Sequence, residues 1–177
     1  METLIHPPRT MMEVFDMLPE GTLAELIDNR LYMSPTPIFQ HQKITKEITK
    51  QLDKIIEETG KGTVIISPFD VKLDSSRNAV QPDIVVILKT NPNQINKEGK
   101  YFGVPDLLVE ILSPGNKDHD LITKKDLYEK FGVKEYWVID PETKLALGFA
   151  LKENRYEKIS EQIGKIQSTL LNADFSF

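Results

Sequence analysis

The stretch Pro105-Asp106-Leu107-Leu108-Val109-Glu110-Ile111-Leu112-Ser113-Pro114 sets the architecture, together with the residues on its C-terminal side up to Pro141. Asp106–Leu112 is a short apolar run between prolines and reads as a buried strand. Ser113-Pro114-Gly115-Asn116 ends it. A helical pattern then runs from about Asp120 to Phe131 and stops at Gly132. Glu135-Tyr136-Trp137-Val138-Ile139-Asp140 is the next strand, stopped by Pro141. The order is strand, helix, strand.

Upstream, Val80–Leu88 is rich in β-branched residues and reads as another strand. Thr63–Ile66 and Phe69–Leu73, parted by Ser67-Pro68, form strand-like runs before it. From about Phe39 to Thr59 the period is helical. Ile44, Ile48, Leu52, Ile55 and Ile56 share one face, and Gly60 supplies the stop. Lys43, Lys46, Lys50 and Lys54 cluster on the opposite side. The core therefore reads as helix, three strands, helix, strand: a mixed α/β fold over about residues 38–141. A short helix at Thr10–Leu18 and a hairpin around Asp28-Asn29 precede it, over residues 10–34. A C-terminal hairpin spans residues 144–160. No repeat or long linker divides the chain, so 177 residues predict one domain.

Composition removes several chemistries. There is no cysteine, which excludes disulfides, a zinc ribbon, a thiol nucleophile and an iron–sulfur cluster. The start METLIHPPRT lacks a basic region followed by an apolar run, and no stretch is apolar enough to span a membrane. A soluble, cytoplasmic protein is expected. The net charge of −5 disfavours a wholly basic surface wrapped on nucleic acid.

Two acids stand in apolar strands, Asp83 before Ile84-Val85-Val86-Ile87 and Glu110 inside Leu107–Leu112. A buried carboxylate needs a partner, because an unpaired buried charge costs several kcal/mol. Adjacent strands lie about 4.8 Å apart, so two such carboxylates could share one divalent cation. Pro82 cannot donate to a ladder and points to an edge or bulge beside Asp83. On the second helix, Leu121, Leu127, Tyr128 and Phe131 define an apolar face at about 100° per residue, and Lys124 falls inside it. That lysine needs a carboxylate or a ligand, unless it snorkels to water. Ile122 projects off the face. Glu25, in the first hairpin, reads by itself as a surface strand glutamate. His41 projects onto the apolar side of the first long helix, where a satisfied core histidine is the simpler reading. Asp106 follows Pro105 and reads as a strand-start residue. The four-lysine row reads by default as a solvated face.

These residues together resemble the Uma family of restriction-endonuclease-like proteins, within the PD-(D/E)xK nuclease superfamily. The likeness runs through Ala24–Asp28, His41-Gln42, Gln81-Pro82-Asp83, Pro105–Pro114, Asp120, Lys124, Tyr128 and Gly132–Pro141. It implies a restriction-endonuclease-like core, Asp83 as the acid of the Pro-Asp motif and Glu110 as the acid of the (D/E)xK motif. The pattern wants lysine two residues after Glu110, but Leu112 stands there; Lys124 on the following helix takes the matching place. The resemblance further implies Mg²⁺ (with Mn²⁺ as substitute) held by Asp83, Glu110 and the Ile111 carbonyl, and metal-assisted hydrolysis of DNA phosphodiesters. Lys124 would position water or stabilise negative charge. Glu25, as a further ligand or a hydrogen-bond partner of metal-bound water, and His41 become supporting residues, and the Lys43, Lys46, Lys50 and Lys54 row a weak candidate for nucleic-acid contact. A homodimer is compatible with the family. Two rivals stand beside the enzyme: a non-cleaving nucleic-acid-binding or accessory protein, and an assembly module.

Overall fold

The computed structural model describes residues 7–114 and 117–177. The reading of the start as leader-free, where it concerns residues 1–6, and the Gly115-Asn116 part of the break after the third strand lie outside the described residues.

The chain begins with helix α1 (Met11–Asp16), whose N-cap Thr10 accepts the Glu13 N–H on its side-chain oxygen. Strands β1 (Ala24–Ile27) and β2 (Arg30–Met33) form the expected hairpin. Asp28 and Asn29 both take positive φ, as a two-residue hairpin turn requires. Helix α2 (Phe39–Leu52) continues into a π turn (Asp53–Glu57). Next come the short strands β3 (Gly62–Ile66), β4 (Val71–Lys72), β5 (Ala79–Val80), β6 (Ile84–Leu88), β7 (Tyr101–Phe102) and β8 (Leu107–Ile111). Helix α3 opens with a π turn (His119–Lys124) and continues as α-helix through Lys125–Phe131. Gly132 ends it at φ 88°, a left-handed cap that glycine adopts without steric cost. Strands β9 (Glu135–Ile139), β10 (Leu145–Lys152), β11 (Arg155–Ile163), β12 (Lys165–Ser168) and β13 (Ala173–Ser176) complete the chain.

The main sheet has the order β11-β10-β9-β8-β6-β3, with β8 and β9 parallel and the other pairs antiparallel. Helix α2 covers one face, burying Ile44, Ile48, Leu52 and Ile56 against Val86, Val109, Ile111 and Trp137. Helix α3 covers the other face, where Leu127, Tyr128 and Val133 meet Val85, Leu108, Tyr136 and Val138. Strands β2-β1-β5-β4-β7 form a smaller sheet, with α1 packed on it through Met12 and Phe15. The C-terminal hairpin extends the main sheet by pairing β10 with β9.

Two differences from the sequence reading matter. The run Val80–Leu88 is not one strand. Ala79–Val80 belongs to the small sheet and Ile84–Leu88 to the main one, with Gln81-Pro82-Asp83 crossing between them. Pro82 has no N–H to give either ladder, which is why the break falls there. The β12–β13 ribbon is the second difference. Glu135 anchors the turn between its strands, accepting the Leu170 N–H and the Thr169 hydroxyl, while Gln51 pairs both its amide groups with the Ser176 backbone.

Candidate active site

Register explains why the two strand acids meet. In the β6–β8 pair Ile84 lies opposite Val109 and Val85 opposite Leu108. Side chains alternate across a sheet, so Glu110 shares the α3 side with Leu108. Asp83 stands just before β6, at the end of the sheet beside the start of α2, and lines the same hollow as Glu110. Asp83 Oδ2 accepts the Ile111 N–H at 2.7 Å and meets His41 Nε2 at 3.0 Å. His41 is therefore not a satisfied core histidine: its Nε2 orients Asp83, and its buried Nδ1 has no partner among the described residues.

Glu110 is 3% exposed. Its Oε1 accepts from Lys124 Nζ at 3.0 Å and from the Tyr128 hydroxyl at 2.9 Å. Lys124 is buried and reaches two further acids, Glu25 Oε1 at 2.9 Å and Asp120 Oδ1 at 3.3 Å. It does not snorkel. Glu25, far from a surface glutamate, is 2% exposed and also accepts the Gln81 N–H at 2.9 Å and meets His119 Nε2 at 3.3 Å. Tyr32 packs its ring on His119, 4.7 Å between centroids.

The π turn explains what helical projection missed. Residues five apart on an α-helix point about 140° away from each other. A π turn closes i→i+5 and brings them to one side. His119 and Lys124 are five apart, and both reach Glu25. The same widening leaves Ile122 56% exposed. No local sequence signal marks His119; only the non-local contact to Glu25 does.

These groups line a cavity of about 60 Å³ with Glu25, His41, Asp83, Glu110, His119, Asp120 and Lys124 on its wall. That is room for about two waters, or for one small hydrated ion. A larger hollow of about 620 Å³ lies beyond Gln81, between α1 and β7, and contains none of these acids. Lys43, Lys46, Lys50 and Lys54 sit on the solvent side of α2 and are absent from the cavity wall. Asp106 shares Glu110's face but is structural: it accepts from the Leu88 N–H at 2.8 Å, Asn91 Nδ2 at 2.8 Å and Lys134 Nζ at 2.6 Å.

Electrostatics single out the site. Four carboxylates face one lysine, and protonating both histidines would still leave the acids in excess. Burial pushes the Glu25 carboxyl up, but the Lys124 ammonium, His119 and the Gln81 N–H outweigh it and bring it down to about 2. Glu110 goes the other way. Burial and the nearby Asp120, Asp83 and Glu25 hold it well above the usual carboxylate range, although Lys124 opposes them. Burial lowers Lys124, but Glu110, Glu25 and Asp120 more than compensate, so it stays firmly cationic.

Among the described residues no three His, Asp or Glu side chains surround a common point as a finished metal site. The donor chemistry nevertheless fits a hard cation. Among the described residues the hydrogen bonds of Asp83 fall on Oδ2 and those of Glu110 on Oε1, leaving Oδ1 and Oε2 beside an acid-rich hollow. Mg²⁺ commonly takes only one or two carboxylates and keeps several waters.

The fold has a solved counterpart, and the chain has a family. A crystal structure of a "putative nuclease" of the family DUF820 from Anabaena variabilis ATCC 29413 has a similar fold, with a TM-score of 0.69 at 19% identity. The alignment covers 85% of this chain and 84% of that one. The search of curated proteins gave no match. No helix among the described residues is long and apolar enough to cross a membrane. Residues 12–172 match the family Uma2, described as "Putative restriction endonuclease", and the chain belongs to that family.

Proposed function

We propose that this chain is a Mg²⁺-dependent endonuclease that hydrolyses DNA phosphodiester bonds, with Mn²⁺ as a substitute metal. The observation that carries the reading is that Asp83 and Glu110 line one acid-rich hollow together with the buried Lys124. Asp83 and Glu110 would hold the cation. Bound there, it would polarise the phosphate and make water a better nucleophile. His41 and the Ile111 N–H orient Asp83. The Lys124 ammonium stabilises negative charge that develops on the phosphate in the transition state, a role its cationic form fills with no proton transfer. Tyr128 steadies Glu110 by donating to Oε1, leaving the other oxygen for the cation.

The family assignment and the nuclease-like fold support the class of reaction. The test is cleavage of supercoiled, linear and single-stranded DNA in Mg²⁺ or Mn²⁺. Activity that depends on the metal, disappears in Asp83→Asn and falls sharply in Lys124→Met is expected. Salt-sensitive DNA binding without cleavage of any substrate would favour the non-cutting alternative.

A further inference from the structure

An ammonium group has three N–H bonds, and Lys124 has three carboxylate partners: Glu25 at 2.9 Å, Glu110 at 3.0 Å and Asp120 at 3.3 Å. Glu110 accepts a hydrogen bond from the ammonium, and Glu25 and Asp120 are further ion-pair contacts around it. Enclosed this way, Lys124 reaches a substrate oxygen only by giving up one of these contacts. The three carboxylates are not equivalent. Glu110 lines the hollow beside Asp83 and is the one a cation would recruit. Glu25 is fixed from three sides, by the Gln81 N–H at 2.9 Å, by His119 and by Lys124 itself. It rides on β1, buried along its whole length, and Tyr32 of the same hairpin clamps His119 from behind. Asp120 lies one turn before Lys124 on the same helix and moves with it.

We propose that Glu25, oriented by His119, is a positioning residue for Lys124 and not a metal ligand. Were Glu110 to turn to a cation, Lys124 would stay tethered to Glu25, and the N–H it now gives to Glu110 would be free for a substrate oxygen. The small sheet thus contributes to the site through a single carboxylate, delivered by the N-terminal hairpin. The kinetic part of this inference rests on the nuclease reading; the tether itself does not.

Two measurements test it on the full-length protein. The first is the side-chain ¹⁵N signal of Lys124 in lysine-labelled protein, assigned with Lys124→Arg. A buried ammonium held among carboxylates exchanges slowly and gives a sharp signal, which Glu25→Gln should broaden or shift strongly and His119→Gln less so. The second pairs kinetics with Mn²⁺ titration. Glu25→Gln should lower kcat by about 10–100-fold with KM nearly unchanged, as loss of an orienting partner does. Mn²⁺ affinity should change by less than about threefold, and in a Lys124→Met background Glu25→Gln should cost no more than about twofold. Tenfold or greater loss of Mn²⁺ affinity would make Glu25 a ligand and overturn the proposal. So would full additivity with Lys124→Met, or an unaltered Lys124 signal in Glu25→Gln. If the wild type cuts no DNA, the nuclease reading falls, and the Lys124 signal alone decides the tether.

Discussion

Asp106 and Glu110 stand four residues apart on one strand face, are 0% and 3% exposed, and should respond to substitution in opposite ways. Asp106→Ala strips the acceptor from the buried Leu88 N–H, which costs about 1–3 kcal/mol. It also strips one of two acceptors from Asn91, whose amide keeps its bond to the Val104 carbonyl, so about 1 kcal/mol more is lost. Lys134 is half exposed and returns to water at little cost. The sum is about 2–4 kcal/mol, which for a chain of this size lowers Tm by about 4–16 °C. Glu110→Gln removes a carboxylate whose charged form burial and the nearby acids already disfavour, against the pull of Lys124. The glutamine carbonyl still accepts from Tyr128 and Lys124. Without divalent metal the variant should be as stable as the wild type, or more stable by up to about 2 kcal/mol, as substitutions that relieve a functional site often are. Adding Mg²⁺ should raise the wild-type Tm and leave that of Glu110→Gln unchanged. Thermal and urea unfolding with and without Mg²⁺ measure all of this. Equal destabilisation of the two variants would refute the division into one structural and one functional acid, as would a loss above about 1 kcal/mol in metal-free Glu110→Gln.

Three further outcomes are expected. Lys124→Met should reduce cleavage by about 10²–10³-fold and, by leaving three buried carboxylates without their ammonium, lower metal-free stability by about 3–5 kcal/mol; Mg²⁺ should restore part of that stability, and a metal-insensitive Tm would contradict the charge argument. Glu25 has a lowered folded-state value of about 2 against an ordinary 4.5, so its contribution is present above 4.5 and fades as pH falls towards 2. The gap in urea stability between wild type and Glu25→Gln should be about 3 kcal/mol near neutrality, and should shrink as pH falls below 4.5; a gap that widens there would reverse the sign of the reasoning. Gly148→Ala would place a Cβ 2.4 Å from the Trp137 ring across the β9–β10 pair, so it should cost about 1–3 kcal/mol in thermal unfolding, with the metal response intact.

Much of the architecture is legible in the sequence because it is local. The short apolar runs Leu107–Ile111 and Ile84–Leu88, the helical stripe of Ile44, Ile48 and Leu52, and the turn at Asp28-Asn29 each arise from a local residue pattern or a dihedral preference. Those same rules place Asp83, Glu110 and Lys124 among apolar neighbours, and a charge in such surroundings needs a partner wherever the chain folds. Asp106 shows the limit of that argument, because its pattern is the same as Glu110's while its partners are backbone, asparagine and lysine.

Local pattern thus dictates the core order and three polar groups that burial forces into pairs. Folding in three dimensions adds that Glu25 is buried against Lys124, that His41 belongs to Asp83, and that His119 is in the cluster at all. It also parts Val80 from Ile84 into two sheets and winds His119–Lys124 as a π turn. Pro82 marks the break between Val80 and Ile84 locally, but which sheet each piece joins does not show there. The membership of Glu25, His41 and His119 depends on contacts between residues tens of positions apart, such as Glu25 with His119 and His41 with Asp83, and a periodicity measured over one turn or two strand steps carries no information at that distance.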